Sequence, residues 1–287
     1  MTRTSTTLLT ALAPAIWGTS YLVTTEALPN LDAMVVSLSR ALPAGVLLLL
    51  IVRVVPRGIW IPRMLVLGAL NFSIFWTALF FAAYRLPGGV AAVIGALQPF
   101  MVLFLARAIL GAPFRALAVA ATLAGLVGVA LLLLTPEARL DGLGIAAGLV
   151  ASLSMALGTV LSRKWQPPVD ALTFTAWQLT AGGLLLLPVI FVTPVRLADL
   201  TTGNLLGLAY LGLIGAALTY VIWLNGIAKL QPVAVSILGF FSPVTATILG
   251  WYFLNETLNG LQLAGIGIVL GSVFAGQAAL RRGSEVS

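Results

Sequence analysis

Residues 115–134 read RALAVAATLAGLVGVALLLL, a single charge followed by an unbroken run of apolar and small residues. A helix rises 1.5 Å per residue and the hydrocarbon core of a bilayer is about 30 Å thick, so about 20 such residues cross it. Working outward from this run to the charged or Pro/Gly-rich breaks on either side gives nine more of similar length. The ten expected spans lie near 8–27, 34–53, 64–84, 90–110, 115–134, 143–162, 171–193, 204–226, 232–254 and 260–280. The connections are too short for a soluble domain. The first run follows Arg3 in the manner of a secretory signal, but its pattern recurs later in the chain, so it is expected to be retained. The fold class expected is all-α and integral to the membrane.

Composition leaves little alternative. Of 287 residues, 60% are apolar and 8% charged, and the mean hydropathy is +1.10; a soluble domain carries about a quarter charged residues. There is no Cys and no His, which removes disulfides, thiolate and imidazole metal sites, Cys nucleophiles and His bases together. No metal and no cofactor is expected. The net charge of +7 is spread through apolar sequence and makes no basic stripe, so no nucleic-acid partner is expected. The partners anticipated are the lipid bilayer and a small-molecule substrate; oligomeric state cannot be read from the sequence.

Orientation follows from the basic residues. With the N-terminus inside, the cytoplasmic segments carry Arg3, Arg53, Arg57, Arg63, Arg107, Arg115, Arg163, Lys164, Lys229, Arg281 and Arg282. The external ones carry Arg85, Arg139 and Arg196, and Arg40 lies within the second span. Glu26, Asp32, Glu137, Asp141, Asp199 and Glu256 fall outside, Asp170 and Glu285 inside. Both termini are therefore expected in the cytoplasm, in a bacterial inner membrane.

The halves resemble each other at a spacing of about 140 residues. Leu28-Pro29-Asn30-Leu31-Asp32-Ala33 parallels Gln166-Pro167-Pro168-Val169-Asp170-Ala171, and Trp17-Gly18-Thr19 parallels Leu157-Gly158-Thr159. Gly95-Ala96-Leu97-Gln98-Pro99 parallels Gly239-Phe240-Phe241-Ser242-Pro243, and Leu123-Ala124-Gly125 parallels Leu263-Ala264-Gly265. The expected units are residues 1–138 and 139–287, five helices each. An odd number of spans turns the second copy upside down, with the substrate site and a central cavity between the two.

These residues resemble the drug/metabolite transporter superfamily, EamA family. The resemblance lies in Ala13 to Gly18 (APAIWG), Arg40, Ala217-Leu218-Thr219-Tyr220, and Ser242-Pro243 followed by Asn255-Glu256-Thr257. The first half departs from the pattern, with Ala112 where the second has Glu256. The resemblance implies a ten-helix exporter of amino acids and related metabolites. Within the family, length and aromatic content make the chain similar to the YddG-type aromatic amino-acid exporters.

Several residues are candidates for the site. Trp17, Tyr21 and Thr24 share one face of the first helix by their spacing. Asn71, Phe75, Tyr84, Trp177, Gln178, Tyr220 and Trp223 could face the same cavity, and Gln98 lies deep by count. Aromatic walls with a few amides suit a ring-bearing amphipathic solute, although Trp and Tyr also form interfacial belts. Arg40 lies on the order of 10 Å below the external end of its helix. It is either a fork for a substrate carboxylate, or a snorkelling or structural cation paired with Asp32 or Glu26. Gly95/Pro99 and Gly239/Pro243 are candidate hinges, since Pro frees the carbonyl four residues before it. Gly125, Gly128, Gly265, Gly267 and Gly271 fit close helix packing.

The function expected is export of amino acids, in particular aromatic ones, and related small metabolites by alternating access. It is expected to be facilitative, because no Asp, Glu or His lies near a helix centre to relay protons. A membrane enzyme acting on lipid intermediates, or an exporter of another metabolite or drug class, is the alternative.

Overall fold

The computed structural model describes residues 2–29, 31–86, 88–133, 141–188, 191, 200–254 and 257–281. They form ten helical rods and no strand. The rods are α1 (Arg3–Ala27), α2 (Ala33–Val52), α3 (Trp60–Gly68, a π-helical turn Ala69–Ser73, then Ile74–Arg85), α4 (Gly88–Gly95 and Gln98–Leu110) and α5 (Ala116–Leu133). The second five are α6 (Gly142–Lys164), α7 (Ala171–Leu186), α8 (Thr202–Gly212, a π-helical turn Leu213–Leu218, then Thr219–Lys229), α9 (Pro232–Leu238 and Phe241–Phe253) and α10 (Gly260–Arg281). Eight are long and apolar enough to cross a membrane. Of the other two, α1 has 25 residues but is diluted by Ser and Thr, and α7 is a shorter apolar helix. All ten coincide with the expected spans.

Starts and stops are local chemistry. Asp32 and Asp170, the matched residues of the first repeat pair, both cap helices: Asp32 Oδ1 accepts from Met34 N–H at 2.8 Å and Asp170 Oδ1 from Thr173 N–H at 2.8 Å. Each satisfies a donor that the first turn leaves orphaned. Asp141 caps α6 and pairs with Arg85 at 3.2 Å. At the end of the bundle that holds Asp170, arginines meet helix C-termini, where the helix dipole favours a cation. Arg3 and Arg115 donate to the carbonyls of Leu280 and Ala279 at the end of α10, at 2.9 and 2.8 Å, and Arg163 donates to Ile227 and Ala228 at the end of α8.

The outside is apolar and the inside partly polar, as a bilayer demands. Leu50, Leu206 and Phe274 are exposed, while Thr10, Ser37, Asn71, Thr122, Ser152, Thr159 and Gln178 are buried. Hydroxyls such as Thr10 and Thr122 donate to the carbonyl four residues back, at 2.7 and 2.8 Å, which satisfies them within one helix.

Helices five apart make the two closest seams, α5 with α10 and α2 with α7. Each is built reciprocally from glycine. In the first, a Cβ on Gly128 would crowd Val269 and the Gly265 carbonyl, and one on Gly265 would crowd the Gly128 carbonyl. In the second, Gly45 meets Leu179 and Thr180, and Gly183 meets Leu42. Gly267 and Gly271 have nothing within 4 Å of a built Cβ, so the packing role expected of them is not seen. The remaining pairs follow the same exchange: α1 packs on α8 and α9, α6 on α3 and α4.

Both Gly-x-x-x-Pro helices are interrupted. In α4 the break is Ala96–Leu97 and in α9 it is Gly239–Phe240. Pro99 and Pro243 lie in the first turn of the continuing segments, where a missing N–H is no loss. The Gly239 carbonyl accepts from Ser242 N–H at 3.0 Å, and Ser152 Oγ donates to the Ile94 carbonyl at 2.9 Å. The Gly239 carbonyl expected to be free is therefore bonded.

Candidate substrate-binding centre

The two π-helical turns place the polar centre. Each follows a Leu-Gly pair, Leu67-Gly68 in α3 and Leu211-Gly212 in α8, and each widens the helix so that a backbone or side-chain group turns inward. In α8 the Gly215 carbonyl accepts from Arg40 Nη2 at 3.0 Å and from Thr219 Oγ1 at 2.9 Å. Thr219 Oγ1 in turn accepts from Trp17 Nε1–H at 2.8 Å. In α3 the turn carries Asn71, whose Nδ2 donates to Gln178 Oε1 at 2.7 Å and to Ser162 Oγ at 3.3 Å.

An aromatic chain closes the loop begun by Arg40. The guanidinium lies 4.6 Å from the centroid of the Trp76 ring. Trp76 meets Phe72 at 5.3 Å, Phe72 meets Tyr220 at 4.6 Å, and Tyr220 meets Trp17 at 5.1 Å, with Trp223 a further 5.0 Å from Trp17. Arg40, Trp76, Phe72, Tyr220, Trp17, Thr219 and Gly215 thus form a ring of contacts drawn from α1, α2, α3 and α8.

Arg40 is only 9% exposed. The one ion pair among the described residues is Arg85–Asp141; Asp32 is occupied as a cap and Glu26 is exposed. Neither the snorkelling nor the paired arrangement is seen. The cation is held by a carbonyl and a ring face, and its Nε has no partner.

The other candidates divide. Tyr220 and Trp223 are in the network, and Asn71 and Gln178 form the amide pair beside it. Gln98 opens the second segment of α4 and faces the α9 break: a Cβ on Gly239 would lie 4.0 Å from Gln98 Oε1. Trp177 turns away, its Nε1 donating to the Val54 carbonyl at 2.6 Å past the end of α2, and so braces α7 against that connection. Phe75 packs at the margin of the cluster holding Phe72 and Trp76. The side chains of Tyr21 and Tyr84, and residues Asn255 and Glu256, lie outside the described set. Trp76, Phe72 and Thr219 complete the ring and were not singled out individually by sequence. Arg40 counted from its own helix gives no bearing on the α3 face that carries Phe72 and Trp76.

A cavity of about 260 Å³ lies at the α6–α7 connection, between Gln166, Asp170, Phe174 and the last turns of α8 at Leu224, Asn225 and Ala228. Among the described residues no group of acids could hold a metal ion.

Comparison with known proteins agrees with this architecture. The model of the EamA-like transporter family matches twice, over residues 4–134 and 142–275. Protein PecM of Dickeya dadantii is 46% identical over 257 residues, covering 88% of this chain and 86% of its own. The uncharacterized inner membrane transporter YedA of Escherichia coli is 25% identical over 90% of this chain and 86% of its own. A solved crystal structure aligns over 98% of this chain and 100% of its own, with a TM-score of 0.83 and 20% identity, and shows the same fold. The alternative of a lipid-processing enzyme falls with these matches. With two copies of the family's pattern in one multi-pass helical chain, the protein belongs to the EamA-like transporter family and carries a small molecule through a membrane.

Proposed function

We propose that the protein exports small ring-bearing metabolites with a carboxylate, aromatic amino acids among them, from the cytoplasm across a bacterial inner membrane. The observation that carries this reading is the contact ring around Arg40. A buried guanidinium with no acidic partner and with aromatic faces about it offers a fork to a carboxylate and a slab to a ring.

The halves, taken as 1–138 and 139–287, act as inverted five-helix units that exchange access between the two faces. Support comes from the strongest helix pairings, which map onto one another when helices one to five are exchanged with six to ten, and from the breaks in α4 and α9. The cavity beside α8 lies at the end bearing the arginine caps, the cytoplasmic end by the distribution of basic residues, and serves as the entry. Transport follows the substrate gradient, because the acids among the described residues sit at helix ends and none is set to relay protons through the centre.

Purified protein in liposomes loaded with a panel of labelled metabolites tests this. Efflux of aromatic amino acids faster than of small ones, unchanged when the pH gradient is collapsed, is expected. Efflux confined to solutes lacking either ring or carboxylate would overturn it.

A further inference from the structure

Buried polar atoms in native proteins are nearly always hydrogen-bonded, and one left without a partner calls for a cause. The unpartnered buried side-chain atoms here include Arg40 Nε, Gln98 Nε2, Gln178 Nε2 and Trp223 Nε1, and the remaining members are Ser and Thr hydroxyls. Every one of these atoms can donate, and the four nitrogens can do nothing else. Gln178 and Trp223 are 0% and 1% exposed.

Three acceptors of the network are already engaged. Gly215 O takes two donors, Thr219 Oγ1 takes Trp17, and Gln178 Oε1 takes Asn71. The described carboxylates are elsewhere: Asp32, Asp141 and Asp170 cap helices, and Glu26 is exposed. An ammonium group brings three donors and needs acceptors, whereas a carboxylate or carbonyl brings only acceptors.

We propose that the centre selects an aromatic organic acid without an ammonium group, with the zwitterionic amino acid as the poorer solute. This deepens the reading of the centre as a substrate site and rests on it. Arg40 Nε and Trp223 Nε1 meet the acid's oxygens, and the deaminated solute leaves no buried cation unaccepted.

The test uses the full chain in liposomes at pH 7.5 and compares counterflow of labelled 3-phenyllactate, phenylalanine and phenethylamine. The acid is expected to half-saturate at a concentration about tenfold lower than phenylalanine, with phenethylamine weakest. Phenylalanine equal to or better than phenyllactate would overturn the preference and leave the substrate site standing. Failure of all three to move, or to raise the melting temperature of the purified protein, would remove the site and the preference together. Trp223→Phe keeps a ring and deletes one donor, and should raise the half-saturation for phenyllactate several-fold, in keeping with the loss of one hydrogen bond. Gln98→Met deletes another donor and gives a second reading of the same kind; ligand-induced melting shifts rank the variants even where turnover is slow.

Discussion

Arg40 holds the centre together without a counter-ion, and its neighbours show why each is the residue it is. Trp17 reaches Thr219, Thr219 reaches Gly215, and Gly215 returns to Arg40, so loss of one member loosens the next. Thr219→Val keeps the shape and removes the hydroxyl that Trp17 uses; it should cost about 1 kcal/mol of stability and weaken transport of ring-bearing solutes, measured by melting and by liposome efflux. Gly158 gives a sharper case. A Cβ there would overlap the Asn71 side-chain oxygen, so Gly158→Ala should destabilise by about 1–3 kcal/mol through overpacking. Gly271→Ala, with open space at its Cβ, should be neutral or slightly stabilising in the same melting assay. Arg40, Trp17, Tyr220 and Trp223 were legible as single residues because a charge or large ring inside an apolar span is conspicuous. Trp177 was equally conspicuous and is a brace, since helical spacing cannot say which neighbour an indole N–H will find. Phe72 and Trp76 were hidden by the same ambiguity in an all-apolar helix, where no polar face marks the inside.

The helices themselves were legible in the sequence, because length against bilayer thickness is a strong constraint and charged or Pro/Gly-rich breaks separate the apolar runs. The π-helical turns were not, although each follows a Leu-Gly pair. A one-residue widening leaves no periodic trace in a run that is apolar on every side. The paired breaks are where the halves differ in a testable way. A Cβ on Gly239 would approach the Ser236 carbonyl at 2.9 Å, while one on Gly95 meets nothing within 4 Å. Gly239→Ala should slow turnover several-fold with substrate affinity retained, and Gly95→Ala should leave both near wild type in counterflow kinetics. The cap on α7 carries a pH sign. Hydrogen bonds from Thr173 hold the Asp170 carboxyl below the usual carboxylate range. Its contribution is therefore complete above about pH 4 and is lost as pH falls through the lowered value. Asp170→Asn, which keeps an acceptor, should flatten the acid limb of the melting-temperature profile below about pH 4.

Across the whole molecule, two copies of one pattern enclose a centre to which both contribute: Arg40, Trp17, Phe72 and Trp76 from one, Thr219, Tyr220, Trp223 and Gln178 from the other. The absence of native Cys makes orientation directly measurable. A single Cys at position 31 or 141 should react with an impermeant thiol reagent from outside, and one at 58 or 166 only after lysis. The repeat was legible from four short matches, whereas the enclosed network was not, because the contact between α3 and α8 joins Phe72 to Tyr220, far apart in the chain, and leaves no local mark. The central claim is that Arg40 recognises a carboxylate, and Arg40→Lys isolates it, since Lys keeps the charge and loses the planar fork. Counterflow should be measured for an aromatic carboxylate and for its uncharged carboxamide in wild type and Arg40→Lys. The account predicts that half-saturation for the carboxylate rises by about tenfold, some 1.4 kcal/mol, while the carboxamide is little changed. An equal change for both solutes, or none for either, would contradict it.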